Sequence, residues 1–382
     1  MMPLVDEPLI ILIAVWIAFA ASYAGARLAA ESEFLPDDPN HRSSHDRRTS
    51  RAGGLAIMTG WLLSLTILGV FSNWPGTLAE FAALAGLSAF ACLVGFADDR
   101  WRMPALLKLG GQVVVAVGFV VFFGGLSLAP APFAGEVSLD PILGAGLTIF
   151  WIVAFMNAFN FMDGANGIAA GAACIGLTAF AIIGAYCDAP FAAATSLLLA
   201  TTCFGFLPSN LARGRLFMGD SGSQAVGFII AALAVIGANS SDGRVSALIM
   251  PMIFMPFLFD VLWTLVHRTA RGRNILVAHR EHLYQLLLRT GHSHTAVAVI
   301  YMSLTALSAA AAIFMLALPP AYQWVAPVLL AAVFMLIAMR THLKAEALGF
   351  FDDGDEDEDA IAAAHSSQAQ SQQTGRQAKL TA

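Results

Sequence analysis

Charge is scarce in this sequence. Only 12% of its 382 residues are Asp, Glu, Lys or Arg, against about 25% in a soluble domain, while 58% are hydrophobic. With a mean hydropathy of +0.72, that shortage excludes a water-soluble body and places most of the chain in hydrocarbon. Cysteine is rare as well. Cys92, Cys174, Cys187 and Cys203 fall in or beside apolar runs without metal-ligand spacing, which argues against a disulfide framework or a zinc site. A basic leader is also missing: Met1 to Pro8 carries Asp6 and Glu7 but no Lys or Arg. A secretory signal needs a positive start, so the first apolar run reads as a retained helix. The net charge of −6 has a local origin in the acids of Asp352 to Asp359.

Apolar runs of spanning length, about 20 residues, lie near 8–29, 52–71, 79–97, 105–126, 142–160, 164–186, 190–209, 222–240, 245–266, 296–317 and 321–340. The fold class expected is therefore an all-α integral membrane protein, a bundle of about eleven transmembrane helices. Orientation follows from the basic residues. With the N-terminus outside, every lysine and arginine except Arg244 falls in or beside an inside segment. The positive-inside rule then sets both that orientation and a cytoplasmic C-terminus. Residues 1–345 form the expected polytopic membrane domain. Residues 346–382 form an acidic cytoplasmic tail with too few large apolar residues to order itself.

Acids in lipid-embedded segments are costly and usually functional. Asp98 and Asp99 close the third run, Asp163 follows the fifth, Asp220 precedes the eighth and Asp260 lies within the ninth. Each taken alone could be a solvated helix end, but all five fall at one membrane face. In NAFNFMDGANG, residues 157–167, Asn157, Asn160 and Asp163 recur every three residues and so share one side of a helix end. Gly164 and Gly167 permit a sharp turn there. A second glycine-bearing helix start is FMGDSGS, residues 217–223. Two helix N-termini attract anions, whereas the carboxylates beside them repel phosphate. A hard divalent cation, Mg²⁺ or alternatively Mn²⁺, reconciles the two.

Two basic loops complete the set. Residues 37–54 carry Arg42, Arg47, Arg48 and Arg51 with His41 and His45; residues 268–285 carry four arginines with His279 and His282. Either loop by itself would serve topology or anionic-lipid contact. Together with the acids they point to phosphate chemistry at the cytoplasmic surface, acting on a soluble anion and a lipid one.

In motif order, from about residue 35 to 300, the chain resembles the polyprenyl-phosphate N-acetylhexosamine-1-phosphate transferases, which include phospho-N-acetylmuramoyl-pentapeptide transferase. The resemblance rests on PNHRSSH with RAGGLAI, GFADD, NAFNFMDGANGIAAG, SNLARGRLFMGDSGSQAVG and HREHLYQ. It implies attack of undecaprenyl phosphate on the β-phosphate of a UDP-N-acetylhexosamine, giving a polyprenyl-diphospho-sugar and UMP. Such a transfer needs mainly positioning and charge neutralisation. The resemblance implies catalytic roles for Asp98, Asp99, Asp163, Asp220, His279 and His282. It implies substrate contacts for Arg42, His45, Asn166, Asn210, Phe217 and Arg280, with metal ligation by Asn160, Asp220 and Asp99.

The departures are informative. Muramoyl-pentapeptide enzymes resemble one another in a run of adjacent histidines, where this chain has HREHLYQ, and Ser43 stands where many relatives carry lysine. The pattern resembles the branch that begins O-antigen and related surface polysaccharides in the bacterial inner membrane, with N-acetylglucosamine or a 6-deoxy-N-acetylhexosamine as the sugar. The implied partners are the UDP-sugar, the polyprenyl phosphate and the bilayer, with no nucleic acid; relatives often pair, which leaves a homodimer open. The alternatives are the muramoyl-pentapeptide reaction and, from another class, a multi-span transporter. Transporters usually show repeated halves and ionisable residues near the midplane. No matching halves are visible here, and Asp260 is the nearest thing to a mid-span charge.

Overall fold

The computed structural model describes residues 7–32, 34–37, 49–72, 77–211, 215–241, 244–274 and 279–351. It is an all-α membrane bundle. The helices are α1 (Glu7–Glu31), α2 (Gly53–Phe71), α3 (Leu78–Trp101), α4 (Ala105–Phe123), α5 (Pro141–Met162), α6 (Ile168–Tyr186) and α7 (Pro190–Leu211). They continue with α8 (Gly219–Ser240), α9 (Ile249–Ile253), α10 (Met255–Ala270), α11 (Leu283–Arg289), α12 (His294–Met315) and α13 (Val325–Ala347). Two short antiparallel hairpins interrupt them: β1 (Pro36–Asp37) with β2 (Thr49–Ser50), and β3 (Leu128–Ala131) with β4 (Gly135–Ser138).

Local chemistry sets several helix starts. Thr77 and Glu80 form a reciprocal capping box at α3, satisfying two otherwise orphan amides. Asp140 caps α5 just ahead of Pro141, whose fixed φ and missing N–H suit a first helical position.

Ten helices among the described residues are long and apolar enough to cross a membrane. The difference from eleven lies at the ninth expected span, 245–266, which is broken into α9 and α10 at Phe254. Pro256, in the first turn of α10, has no N–H to continue the ladder, and the Phe254 amide closes α9 on the Met250 carbonyl at 3.0 Å. Two expected boundaries also shift. The third span runs on to Trp101 and the eighth starts at Gly219, so Asp98, Asp99 and Asp220 belong to terminal helical turns. The acidic run from Asp352 lies outside the described residues.

The bundle is organised around α8. Every residue from Ser221 to Ala238 is buried, enclosed by α2, α3, α5 and α7. Small residues allow the approach: a Cβ on Gly95 of α3 would collide with the Asp220 carbonyl, and one on Gly54 of α2 with the Gly222 backbone. The start of α8 is thereby pressed between α2 and α3, at the end of the bundle where α3 and α5 finish and α4 and α6 begin.

Candidate active site

That end of α8 gathers the acids. Asp99, in the last turn of α3, accepts the Asp220 amide at 3.0 Å on Oδ1 and the Ser221 amide at 2.9 Å on Oδ2. Both are orphan donors of a helix start, and a carboxylate there also meets the positive end of the helix dipole. Asp98, on the preceding residue, turns the other way. Its Oδ1 accepts the Met103 amide at 2.8 Å and its Oδ2 the Lys108 ammonium at 2.9 Å. Lys108 Nζ also donates to Asp220 Oδ2, so one cation bridges two carboxylates from different helices. Asp220 Oδ1 accepts from Asn160 Nδ2 at 2.9 Å, and the same nitrogen reaches Ser223 Oγ at 2.7 Å.

Asp163, at the end of α5, is half-buried. Burial, reinforced by the charges of Asp220 and Asp99, holds its carboxyl well above the usual carboxylate range, with Arg51 opposing. Beneath the acids an amide ladder crosses the bundle. Gln112 Nε2 donates to Gln224 Oε1 at 2.8 Å, and Asn157 Nδ2 donates to Gln112 Oε1 at 2.8 Å.

The loop that faces α8 is fixed by backbone bonds. Phe217 N donates to Ser50 O at 2.9 Å, Gly53 N to Phe217 O at 3.0 Å and Gly54 N to Met218 O at 2.7 Å. Phe217 therefore sits in a seam between β2, the start of α2 and α8.

A second group lies on α10 and α11. Asp260, fully buried, accepts the Leu283 amide at 2.9 Å, the Tyr284 amide at 3.2 Å and the Tyr301 hydroxyl at 2.5 Å. His282 Nδ1 is 3.1 Å from Asp260 Oδ1. Glu281, also buried, pairs with Arg268 at 2.5 Å and Arg273 at 2.7 Å. Burial alone would raise Glu281, but Arg273 and Arg268 hold it below the usual carboxylate range. Burial, His282 and Arg268 push His279 down to about 4. The two groups meet at the end of α5: the Phe161 ring lies 5.7 Å from that of His282, and a Cβ on Gly164 would overlap the Tyr284 hydroxyl.

Of the residues expected from the sequence, the structure draws Asp98, Asp99, Asn160, Asp163 and Asp220 into one cluster. It places His279 and His282 in the adjoining group, with Arg280 exposed beside them. Asn166 is half-buried in the turn between α5 and α6. Asn210 is buried, and its side chain ties backbone together, accepting the Gly167 amide at 2.6 Å and donating to Leu216 O at 2.9 Å. Arg42 and His45 lie outside the described residues. In the sequence Lys108 bears only on topology. Its signal was its position, a lone lysine inside an apolar run.

The cluster's fit to a divalent cation can be judged from its unused acceptors. Asp163 has no hydrogen-bond donor among the described residues, and Asn160 directs its Nδ2 to Asp220 and Ser223, leaving Oδ1 without a partner there. No three His, Cys, Asp or Glu side chains among the described residues converge as a metal cage. Mg²⁺ characteristically needs only one or two carboxylates, with water and phosphate completing its shell. The residues fit.

Residues 81–238 match the profile of glycosyl transferase family 4. The chain is 34% identical over 307 residues to the decaprenyl-phosphate N-acetylglucosaminephosphotransferase of Mycobacterium leprae, covering 72% of this chain and 76% of that protein. It is 30% identical over 267 residues to a probable undecaprenyl-phosphate N-acetylglucosaminyl 1-phosphate transferase of Bacillus subtilis, covering 70% and 73%. It is 26% identical over 319 residues to the undecaprenyl-phosphate alpha-N-acetylglucosaminyl 1-phosphate transferase of Escherichia coli K12, covering 81% and 84%.

Proposed function

The chain belongs to the polyprenyl-phosphate hexosamine-1-phosphate transferase family, and on that footing we propose that it transfers N-acetylglucosamine-1-phosphate from UDP-N-acetylglucosamine to undecaprenyl phosphate. UMP is the second product. The reaction is the first membrane step of a surface polysaccharide, O-antigen-like in kind, with the acid cluster facing the cytoplasm. The observation that carries this reading is the junction of Asp98, Asp99, Asp163 and Asp220 with Lys108 and Asn160 around the start of α8. The sugar is the one named for the relatives from M. leprae, B. subtilis and E. coli. Those relatives lend nothing to the muramoyl-pentapeptide or transporter alternatives.

The roles follow from the contacts. Asp99 fixes the start of α8 and with it the direction of Asp220. Lys108 balances Asp98 and Asp220 and keeps an ammonium where phosphate oxygens would accumulate charge; positioned cations of this kind supply most of the catalysis in phosphoryl transfer. Asp163, Asp220 and the Asn160 carbonyl would hold Mg²⁺. When bound, the ion neutralises diphosphate oxygens and lets acids and phosphates share one site. Asp99 is better suited to capping than to ligation, since both its oxygens already accept α8 amides. Asp98 faces Lys108 and suits orientation of the lipid phosphate.

The test uses the full chain in detergent with undecaprenyl phosphate, Mg²⁺ and a panel of UDP-N-acetylhexosamines, following UMP and lipid-linked product. Turnover is expected with UDP-N-acetylglucosamine, and it should stop on chelation. Folded protein that binds the UDP-sugar yet turns over no donor would sink the reading.

A further inference from the structure

The buried carboxylate of Asp260 plays no part in the acid cluster, although it is among the most heavily bonded groups in the molecule. Its Oδ1 accepts the Leu283 amide and lies 3.1 Å from His282 Nδ1; its Oδ2 accepts the Tyr284 amide and the Tyr301 hydroxyl. Thr264 Oγ1, one turn along α10, stands 3.3 Å from Oδ1. A single side chain therefore ties α10, α11 and α12 together.

These donors fix a proton. A fully buried carboxylate offers only acceptors, so a ring nitrogen facing it at hydrogen-bond distance must carry the hydrogen. His282 is accordingly protonated on Nδ1, and Nε2 is its other functional atom. Nε2 has no hydrogen-bond partner among the described residues. It is also not one of the sealed, unpartnered ring nitrogens, which include Nδ1 of His267 and Nε2 of His342. The ring is packed among Phe161 at 5.7 Å, His279 at 5.1 Å and Tyr284 at 5.9 Å between centroids, stacked on the last and tilted to the other two. Tyr284, stacked on this ring, has its hydroxyl against Gly164, the residue after Asp163, so the held ring borders the acid cluster.

We propose that Asp260 is a positioning residue for the transfer reaction: it fixes the His282 proton on Nδ1 and presents Nε2 to the substrate, with Tyr301 holding the carboxylate in place. The inference rests on the proposed function for its substrate, and on the Asp260 geometry alone for the proton. Carboxylate–imidazole pairs serve this way on unrelated folds, where replacing the acid by its amide preserves the geometry but leaves the wrong tautomer.

The experiment has two arms. In the first, full-length wild type, Asp260→Asn, His282→Asn and the double variant are assayed with UDP-N-acetylglucosamine and undecaprenyl phosphate. Asp260→Asn is expected to lower kcat roughly 100-fold with KM for the UDP-sugar changed less than about threefold. The double variant should be no slower than His282→Asn, because residues that act through one another are not additive. A further loss in the double variant, or a loss confined to KM, would show a purely structural role and overturn the proposal. In the second arm, ¹⁵N-histidine NMR of the wild type at pH 8, with the His282 signal assigned by its absence in His282→Asn, should show the proton on Nδ1. A proton on Nε2 overturns the proposal, even if Asp260→Asn fails to fold. This arm needs no turnover, so it separates failure of the positioning role from failure of the proposed reaction.

Discussion

The Asp99 carboxylate is bonded to the backbone of Asp220, a residue 121 positions later, at 3.0 Å. One acid therefore holds the helix that aims another. Asp99→Asn keeps one oxygen but loses the charge and one acceptor, and a lost cap costs about 1–2 kcal/mol. We expect a lower melting temperature in detergent together with loss of UMP release. A variant that melts like the wild type would show that Asp99 does not anchor α8.

Lys108 is the only cation with a hydrogen bond to both Asp98 and Asp220 among the described residues. Its side chain is 17% exposed, and removing one member of such a buried group costs about 3–5 kcal/mol by leaving charge uncompensated. Lys108→Met should therefore melt early, and added Mg²⁺ should recover more stability in it than in the wild type. Equal Mg²⁺ responses would mean that the ion does not settle among these carboxylates.

Gly95 has no room for a side chain, whereas a Cβ at Gly86, nine residues earlier on the same helix, meets nothing within 4 Å. Overpacking a tight contact costs about 1–3 kcal/mol. Gly95→Ala should unseat Asp220 and abolish activity, while Gly86→Ala should leave activity intact. Comparable activities in the two variants would contradict the close approach of α3 and α8.

The His279 ring is held neutral, its pKa lowered from 6.5 to about 4 chiefly by burial, then by His282 and Arg268. The folded state therefore binds fewer protons than the unfolded one between these values, and stability falls as pH drops from 6.5 toward 4. Glu281 loses its contribution only below the ordinary carboxylate range, so in the upper part of that window His279 contributes and Glu281 does not. Melting curves at pH 7 and 5.5 should show a smaller loss for His279→Gln than for the wild type. An unchanged loss would remove His279 from the acid response.

Much of this was legible in the sequence because membranes make polar residues conspicuous. Asp98, Asp99, Asn160 and Asp220 stood at the ends of apolar runs, and the structure joins them. Lys108 was harder to read. A basic residue near a span end counts as a topology signal, and only the fold shows that it bridges two helices. The break at Phe254 was obscured because proline is common in membrane helices, so Pro251 and Pro256 did not by themselves divide the ninth span. Asn210 sat in a recognisable motif, yet its bonds to Gly167 and Leu216 serve the backbone. Asp260 was visible as an acid within a span, but its donors come from residues 264 to 301, and no local pattern links them.

The enclosure of α8 bears on how the chain is made. α8 is apolar enough to cross a membrane by itself, but its polar start at Asp220, Ser221, Ser223 and Gln224 is costly in hydrocarbon until partners cover it. Its main walls, α2, α3, α5 and α7, precede it in the chain, and of its neighbours only the short α9 follows. Most of the slot for α8 is therefore already synthesised when α8 leaves the ribosome, and the order of translation is also a workable order of assembly.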